Sequence, residues 1–224
     1  IEKMFRPGSG LGSSASSAAG SVFAVNALLG YPCSTKELLP FALDGEALAS
    51  KCYHADNVAP SLLGGFQSVR SYEPLDIFSV TGLDDIIVLI IFPDVQIKTA
   101  EAKELLPTTL SIKDAREQWG NISALIHSLH TKDYELLNRS ITDRIAEPAR
   151  KRLIPGYDKV KEIASENQSV GFNISGSGPS MFSLFTNQRY ANSCMDKVEA
   201  FYTSIGLPVK LHVSKINTEG CKIL

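Results

Sequence analysis

Pro7-Gly8-Ser9-Gly10-Leu11-Gly12-Ser13-Ser14-Ala15-Ser16 stands near the start of the chain, and its reading decides the fold. Three glycines and four hydroxyls fill these ten positions, and small and apolar residues suited to a helix continue through Leu29. Glycine lets the backbone turn with its N–H groups pointing inward and lets a ligand approach the main chain closely. A helix opening directly after the loop adds the unpaired N–H groups and positive end of its first turn. Together these make a site for a phosphate. The same composition also suits a flexible Gly/Ser segment ahead of a core helix. The even spacing of Gly8, Gly10 and Gly12 departs from G-x-G-x-x-G, and no Gly-Lys-Ser/Thr closes the run. It is neither of the two commonest phosphate loops.

The chain has 224 residues, a formal net charge of -2 and 44% hydrophobic residues. That length can bury a core in one large domain or two small ones. Lysine and arginine form no cluster of the kind that tracks nucleic acid, so no nucleic-acid partner is expected. The longest apolar run, 86–92, is too short to span a bilayer, so no membrane partner is expected either. Cys33, Cys52, Cys194 and Cys221 lack CxxC spacing, which predicts free thiols in a reducing cytoplasm. The first residue is Ile1 and only a short stretch precedes the loop, so the expectation is the latter part of a longer protein.

Periodicity and punctuation predict a helix over 13–29, stopped by Gly30 with Pro32 beyond. Ser34-Thr35-Lys36-Glu37 reads as a capping box that starts a second helix at Thr35, with Leu38, Leu39, Ala42 and Leu43 inward. Gly64-Gly65 breaks the chain before a strand over 66–72. Residues 86–92 read as a buried strand closed by Pro93. A short helix over 99–106 and a longer one over 113–129 follow, with helical pattern again over 133–144 and 157–165. Strands are expected at 171–174, 181–185 and 209–214, with a helix over 192–205. Helices and strands mixed without regular βαβ repetition predict an α+β protein with a boundary near 76–85.

Glu46 lies on the second helix among Ala42, Leu43, Ala47 and Ala49. An acidic side chain in that company is either a solvated carboxylate or a functional one. Glu46, Ser50 and His54 fall at i, i+4 and i+8, one helix face if the helix continues that far. His54-Ala55-Asp56-Asn57-Val58-Ala59-Pro60 then gathers His, Asp and Asn before an apolar, glycine-ended turn, which favours the functional reading. Glu147-Pro148-Ala149-Arg150 leads into Leu153-Ile154-Pro155-Gly156. Ser175-Gly176-Ser177-Gly178-Pro179 is a second glycine-rich turn between two strands, readable by itself as a hairpin turn.

These segments resemble, in chain order, the motifs of the GHMP kinases, ATP-dependent kinases of small alcohols. The first loop is similar to their Pro-x-x-x-Gly-Leu-Gly-Ser-Ser-Ala, the second turn to their Ser-Gly-Ser-Gly-Pro, and 218–224 to the family's terminus. Glu46 through Gly64-Gly65-Phe66, the stretch 98–107 and the Glu147–Gly156 segment are similar to the homoserine kinase branch. The resemblance implies a two-domain α+β GHMP kinase fold. Its parts would be a partial, ribosomal protein S5 domain 2-like ATP-binding domain over 1–80 and a ferredoxin-like domain over 81–224. It implies transfer of the ATP γ-phosphate to the hydroxyl of L-homoserine with Mg2+, in threonine biosynthesis, and it admits a homodimer.

By the same resemblance Pro7 through Ser16 wrap the ATP phosphates, and Ser14 and Glu46 hold magnesium. His54 and Asn57 face the amino acid, Asn57 within the catalytic group, while Gly176 and Ser177 close over the substrate. Asp56 falls where mevalonate kinases keep a proposed base, which homoserine kinases are thought to manage without. Lys103 and Arg150 stand where the family clamps the homoserine carboxylate and the transferred phosphate. Arg150 matches the family, whereas Lys103 keeps the charge and loses the bidentate fork. The alternatives are a kinase for another small alcohol and a nucleotide-binding sensor without turnover. The His-Ala-Asp-Asn segment and Arg150 weigh against the first, and Ser14 with Glu46 against the second.

Overall fold

A computed structural model describes residues 2–3, 7–82, 85–97, 102 and 104–223. Lys103 and the start of the helix expected over 99–106 lie outside the described residues. The chain forms two units. One comprises Ile1–Pro7, Gly12–Thr81 and Asn217–Leu224, and the other Gly8–Leu11 and Gly82–Ile216.

The first unit is built on three helices and a hairpin: α1 (Ser13–Leu28), α2 (Leu39–Ser50), α3 (Ala55–Leu63), β1 (Phe66–Tyr72) and β2 (Leu75–Val80). Small residues on α1 permit close helix packing: Ala15 and Ala19 are fully buried. A Cβ on Gly45 of α2 would stand 3.2 Å from the Ala18 Cβ, tighter than side chains normally pack. The capping box forms, with Ser34 N–H donating to Glu37 Oε2 at 2.8 Å. It opens a 3-10 turn (Thr35–Leu38), and the α-helix itself begins at Leu39 with a proline in its first turn. Buried Asn26 closes the preceding loop by a reciprocal pair with the Cys33 backbone, 2.9 and 3.1 Å.

The helix carrying Glu46 does not continue to His54. It ends at Ser50, and Lys51 turns left-handed at φ 59. The segment from Ala55, read only as leading into a glycine-ended turn, is instead α3, whose Ala55, Val58, Ala59 and Leu62 are all fully buried on one face. Its far end is braced by the chain's last residues: Gly65 N–H donates to Asn217 O at 2.7 Å and Cys221 N–H to Leu62 O at 3.1 Å. Antiparallel β2, absent from the sequence reading, completes the hairpin, with Phe66 opposite Val80 and Tyr72 opposite Leu75.

The second unit runs β3 (Ile87–Pro93), α4 (Ile112–Thr131), α5 (Tyr134–Ser140), α6 (Ala146–Arg150), α7 (Tyr157–Glu166), β4 (Gly171–Ile174), β5 (Met181–Phe185), α8 (Gln188–Ser204) and β6 (Val209–Lys215). The sheet order is β4-β5-β3-β6, with every neighbour antiparallel. This is the split βαββαβ order of the expected ferredoxin-like domain. Ile87, Leu89 and Ile91 of β3 pack with Val160 and Ala164 of α7 and Val198 and Tyr202 of α8. The last helix begins at Gln188, ahead of the predicted 192, because the Asn187 side chain accepts from Arg189 N–H at 2.8 Å and caps it. The one-turn helix α6 was not anticipated. Among the described residues no helix is long and apolar enough to cross a membrane.

Candidate active site

The glycine-rich run contributes to both units, Gly8–Leu11 to the second and Gly12 onward to the first. In the second unit Gly8 and Gly10 take φ 79 and 80, conformations open to glycine. The loop lies against the second glycine-rich turn. Ser175 Oγ donates to Gly10 O at 2.8 Å and Ser180 N–H to Ser9 O at 3.1 Å. A Cβ on Gly10 would stand 2.5 Å from Ser175 O and 2.7 Å from Gly178 O. Gly10 is therefore required by contact between two loops, beyond any ligand. The hydroxyls of Ser9 and Ser180 are buried without a hydrogen-bond partner among the described residues. Arg150 reaches the same turn: Nη1 donates to Gly176 O at 2.9 Å and Nε to Ala102 O at 3.3 Å. Arg150, Gly176 and half-buried Ser177 are thus brought together, while Lys103 lies outside the described residues.

In the first unit Gly12, left-handed at φ 64, is the N-cap of α1 and has no side chain to satisfy the first turn. The N–H groups of Ser13, Ser14 and Ala15 lead that turn and suit an anion. Ser16 N–H bonds back to Gly12 O at 2.9 Å. Pro7 is an exposed turn residue, and Leu11 is half-buried. Ser14 Oγ donates to Glu46 Oε1 at 3.0 Å, and His54 Nδ1 lies 3.1 Å from the same oxygen. Glu46 is only 2% exposed, and its Oε2 is buried with no partner among the described residues.

The i, i+4, i+8 face drawn from sequence does not exist. Ser50 Oγ instead donates to Glu46 O at 3.0 Å and to Cys52 O at 2.8 Å, within the ending helix. The left-handed turn at Lys51 then returns the chain, so that His54, as N-cap of α3, meets Glu46 by a different route. Asn57 joins them beside the loop, where a Cβ on Gly12 would come within 3.5 Å of its Oδ1. Asp56 stands exposed in the first turn of α3. Partial burial, and next the Asp56 charge, push the Tyr72 phenol above its ordinary range.

Three participants were missed. Ser175 heads the Ser-Gly-Ser-Gly-Pro motif and was readable there. Tyr72 gave no signal at the end of a strand. Lys3 donates to Ser13 O at 2.8 Å and to Ser13 Oγ at 3.0 Å, and only the fold places it at the head of α1.

A buried carboxylate oxygen without a partner, beside a serine hydroxyl, is a donor set for a hard divalent cation. Among the described residues no three His, Cys, Asp or Glu side chains converge as a metal site. A magnesium ion bound through a single carboxylate takes its remaining oxygens from phosphates and water.

The chain matches the family description "GHMP kinases N terminal domain" over residues 1–65 and "GHMP kinases C terminal" over residues 125–204. It is 40% identical to the homoserine kinase of Chlorobium phaeobacteroides over all of this chain and 71% of that protein. It is 37% identical to that of Chlorobaculum tepidum, over all of this chain and 70% of the relative. The crystal structure of homoserine kinase from Cytophaga hutchinsonii superposes with a TM-score of 0.94 at 44% identity, covering 97% of this chain and 69% of that one. The two-domain fold and the kinase class expected from the motifs are those of these relatives, and the chain belongs to the GHMP kinase family, with the homoserine kinases.

Proposed function

We propose that the protein transfers the γ-phosphate of ATP to the side-chain hydroxyl of L-homoserine, giving O-phospho-L-homoserine on the way to threonine. The observation that carries the reading is Glu46. It is sealed in the first unit, with one oxygen tied to Ser14 and His54 and the other unpartnered among the described residues. A carboxylate so placed next to a phosphate-binding loop is costly to keep for stability alone. It makes sense as a ligand for the cation that accompanies ATP.

On this reading Gly8 through Ser16 hold the phosphates with backbone N–H groups, and Ser14 and Glu46 hold Mg2+, which neutralises charge on the β- and γ-phosphates. His54 and Asn57 orient the amino acid. Arg150, with Gly176 and Ser177 at hand, takes the carboxylate or the transferring phosphate through a guanidinium fork. Lys103 supplies a second positive charge. Because the transition state is loose, positioning and charge neutralisation do most of the work, and the acceptor proton can leave late. Asp56 is then free to serve as an acceptor without being a strong base. The four cysteines are free, and a reducing compartment such as the cytoplasm would keep them so.

The test is ADP release assayed with homoserine, serine, threonine and mevalonate at saturating ATP and magnesium. Homoserine should give the highest kcat/KM by orders of magnitude. A preference for mevalonate, or ATP binding with no turnover on any acceptor, would overturn the reading.

A further inference from the structure

Arg150 sits at the end of α6, a helix of a single turn that cannot hold its own direction, since isolated short helices are marginal in water. Something must fix its rotation if the guanidinium is to stay aimed. One turn earlier, at i-3, stands Glu147, 8% exposed and so almost fully buried. Its Oε1 is ion-paired with Lys161 Nζ from the facing helix α7. The Lys161 ammonium also lies 5.8 Å from the centroid of the Tyr157 ring, which is 3% exposed and stacked edge-on against Phe172 of β4 at 5.5 Å. Glu147 Oε2 and the Tyr157 hydroxyl are both buried with no partner at full hydrogen-bonding geometry among the described residues. Burial, and next the Glu147 charge, hold the Tyr157 phenol well above its ordinary range, so it stays protonated beside the carboxylate.

A buried carboxylate needs a reason, and replacing such a pair with apolar groups is often neutral or stabilising. What the pair supplies is direction. An ion pair to α7 beside Tyr157 is a directional tie on α6 that an apolar side chain at 147 would lack. The N-terminal end of α6 is fixed as well, because Asp143 Oδ1 accepts from Ile145 and Ala146 N–H at 2.7 and 2.9 Å.

Resting on the assignment of Arg150 to the acceptor, we infer that Glu147 and Lys161 are positioning residues which aim Arg150 at the substrate and thereby set the affinity for the amino acid. They touch neither the reacting atoms nor the nucleotide.

The experiment is a double-mutant cycle in the full protein, reading homoserine KM, ATP KM and kcat, with thermal melting to confirm folding. Arg150→Ala comes first, since an unchanged homoserine KM there would reject the assignment of Arg150 itself. Given a large effect at Arg150, Glu147→Gln and Lys161→Met should each raise homoserine KM about 10- to 100-fold, the loss expected for a misaimed group. ATP KM should stay within about twofold, and Lys161→Arg, which keeps a cation opposite Glu147, should leave homoserine KM much nearer to wild type than Lys161→Met does. The decisive arm is Glu147→Gln in the Arg150→Ala background, where it should change homoserine KM by less than about twofold. A full additive loss there, or a parallel rise in ATP KM, would show a general structural role and overturn the inference. Should Glu147→Gln fail to fold, Lys161→Met with Arg150→Ala forms the same cycle, because Lys161 is 40% exposed and tolerates change.

Discussion

Replacing Glu46 with glutamine separates what this residue does for catalysis from what it costs the fold. The amide oxygen can keep the bonds from Ser14 and His54, which both use Oε1. What changes is the second position, a buried and unpartnered carboxylate oxygen that becomes a neutral amide nitrogen. An unsatisfied buried polar group costs about 1–3 kcal/mol and more when charged. Exchanging a charged orphan for a neutral one should therefore return about 1 kcal/mol, or roughly 2–4 °C in Tm for a chain of this size. Catalysis moves the other way. If Glu46 holds the cation as proposed, losing the carboxylate weakens that cation's hold, and kcat should fall about a hundredfold, equivalent to about 2.7 kcal/mol of transition-state stabilisation. The assays are a melting curve without nucleotide or metal, and steady-state ADP release across a magnesium titration. Near-normal kcat at saturating magnesium would remove Glu46 from the metal role. A Tm lower by several degrees would show instead that its charge holds the fold together.

Gly8→Ala should bear only the strain of a left-handed backbone, because a Cβ there meets nothing within 4 Å, and should raise ATP KM several-fold; Gly10→Ala bears the same strain and should lower Tm by several degrees more, because its Cβ meets two backbone carbonyls. Equal melting temperatures for the two variants would refute the contact between the loops. Arg150→Ala should cost about 2–4 kcal/mol in kcat/KM for homoserine with ATP KM changed only a few-fold, and Lys103→Arg should hold or improve homoserine use. A rise in ATP KM alone at Arg150 would dismiss its role at the acceptor. Gly220→Val should destabilise the protein by about 2–4 kcal/mol, since a Cβ would stand 2.2 Å from Leu62 O, with unfolding in urea as the readout. Wild-type stability there would mean that the final residues do not brace α3.

Much of the architecture could be read from pattern. Gly30, the Ser34–Glu37 box, Gly64-Gly65 and Pro93 punctuate the chain where elements end, and the apolar periods of α4, α7 and β3 are plain. The helix α3 was also written in its sequence, in the i, i+3, i+4, i+7 spacing of Ala55, Val58, Ala59 and Leu62. It was misread because Pro60 and the closing glycines look like a turn. A proline at the sixth position removes one donor, and burial of that apolar face outweighs the loss. Strand β2 lacked a clear alternation, and only pairing with β1 reveals it. The one-turn helix α6 is too short to carry a period.

At the candidate site, residue types and order singled out the first glycine-rich loop, Glu46, His54 and Asn57, while resemblance to the family's motifs added Arg150 and the second glycine-rich turn. How the residues within each unit meet belongs to the tertiary structure. His54 reaches Glu46 through a left-handed break after α2 rather than along one helix, and Gly10 is fixed by carbonyls 165 and 168 residues further on, at Ser175 and Gly178. The chain's last residues return to α3, and Glu147 faces Lys161 behind Arg150. Local sequence encodes backbone preference and side-chain chemistry, both decided over a few residues. Contacts between distant segments depend on which faces bury together, and the packed fold alone sets that.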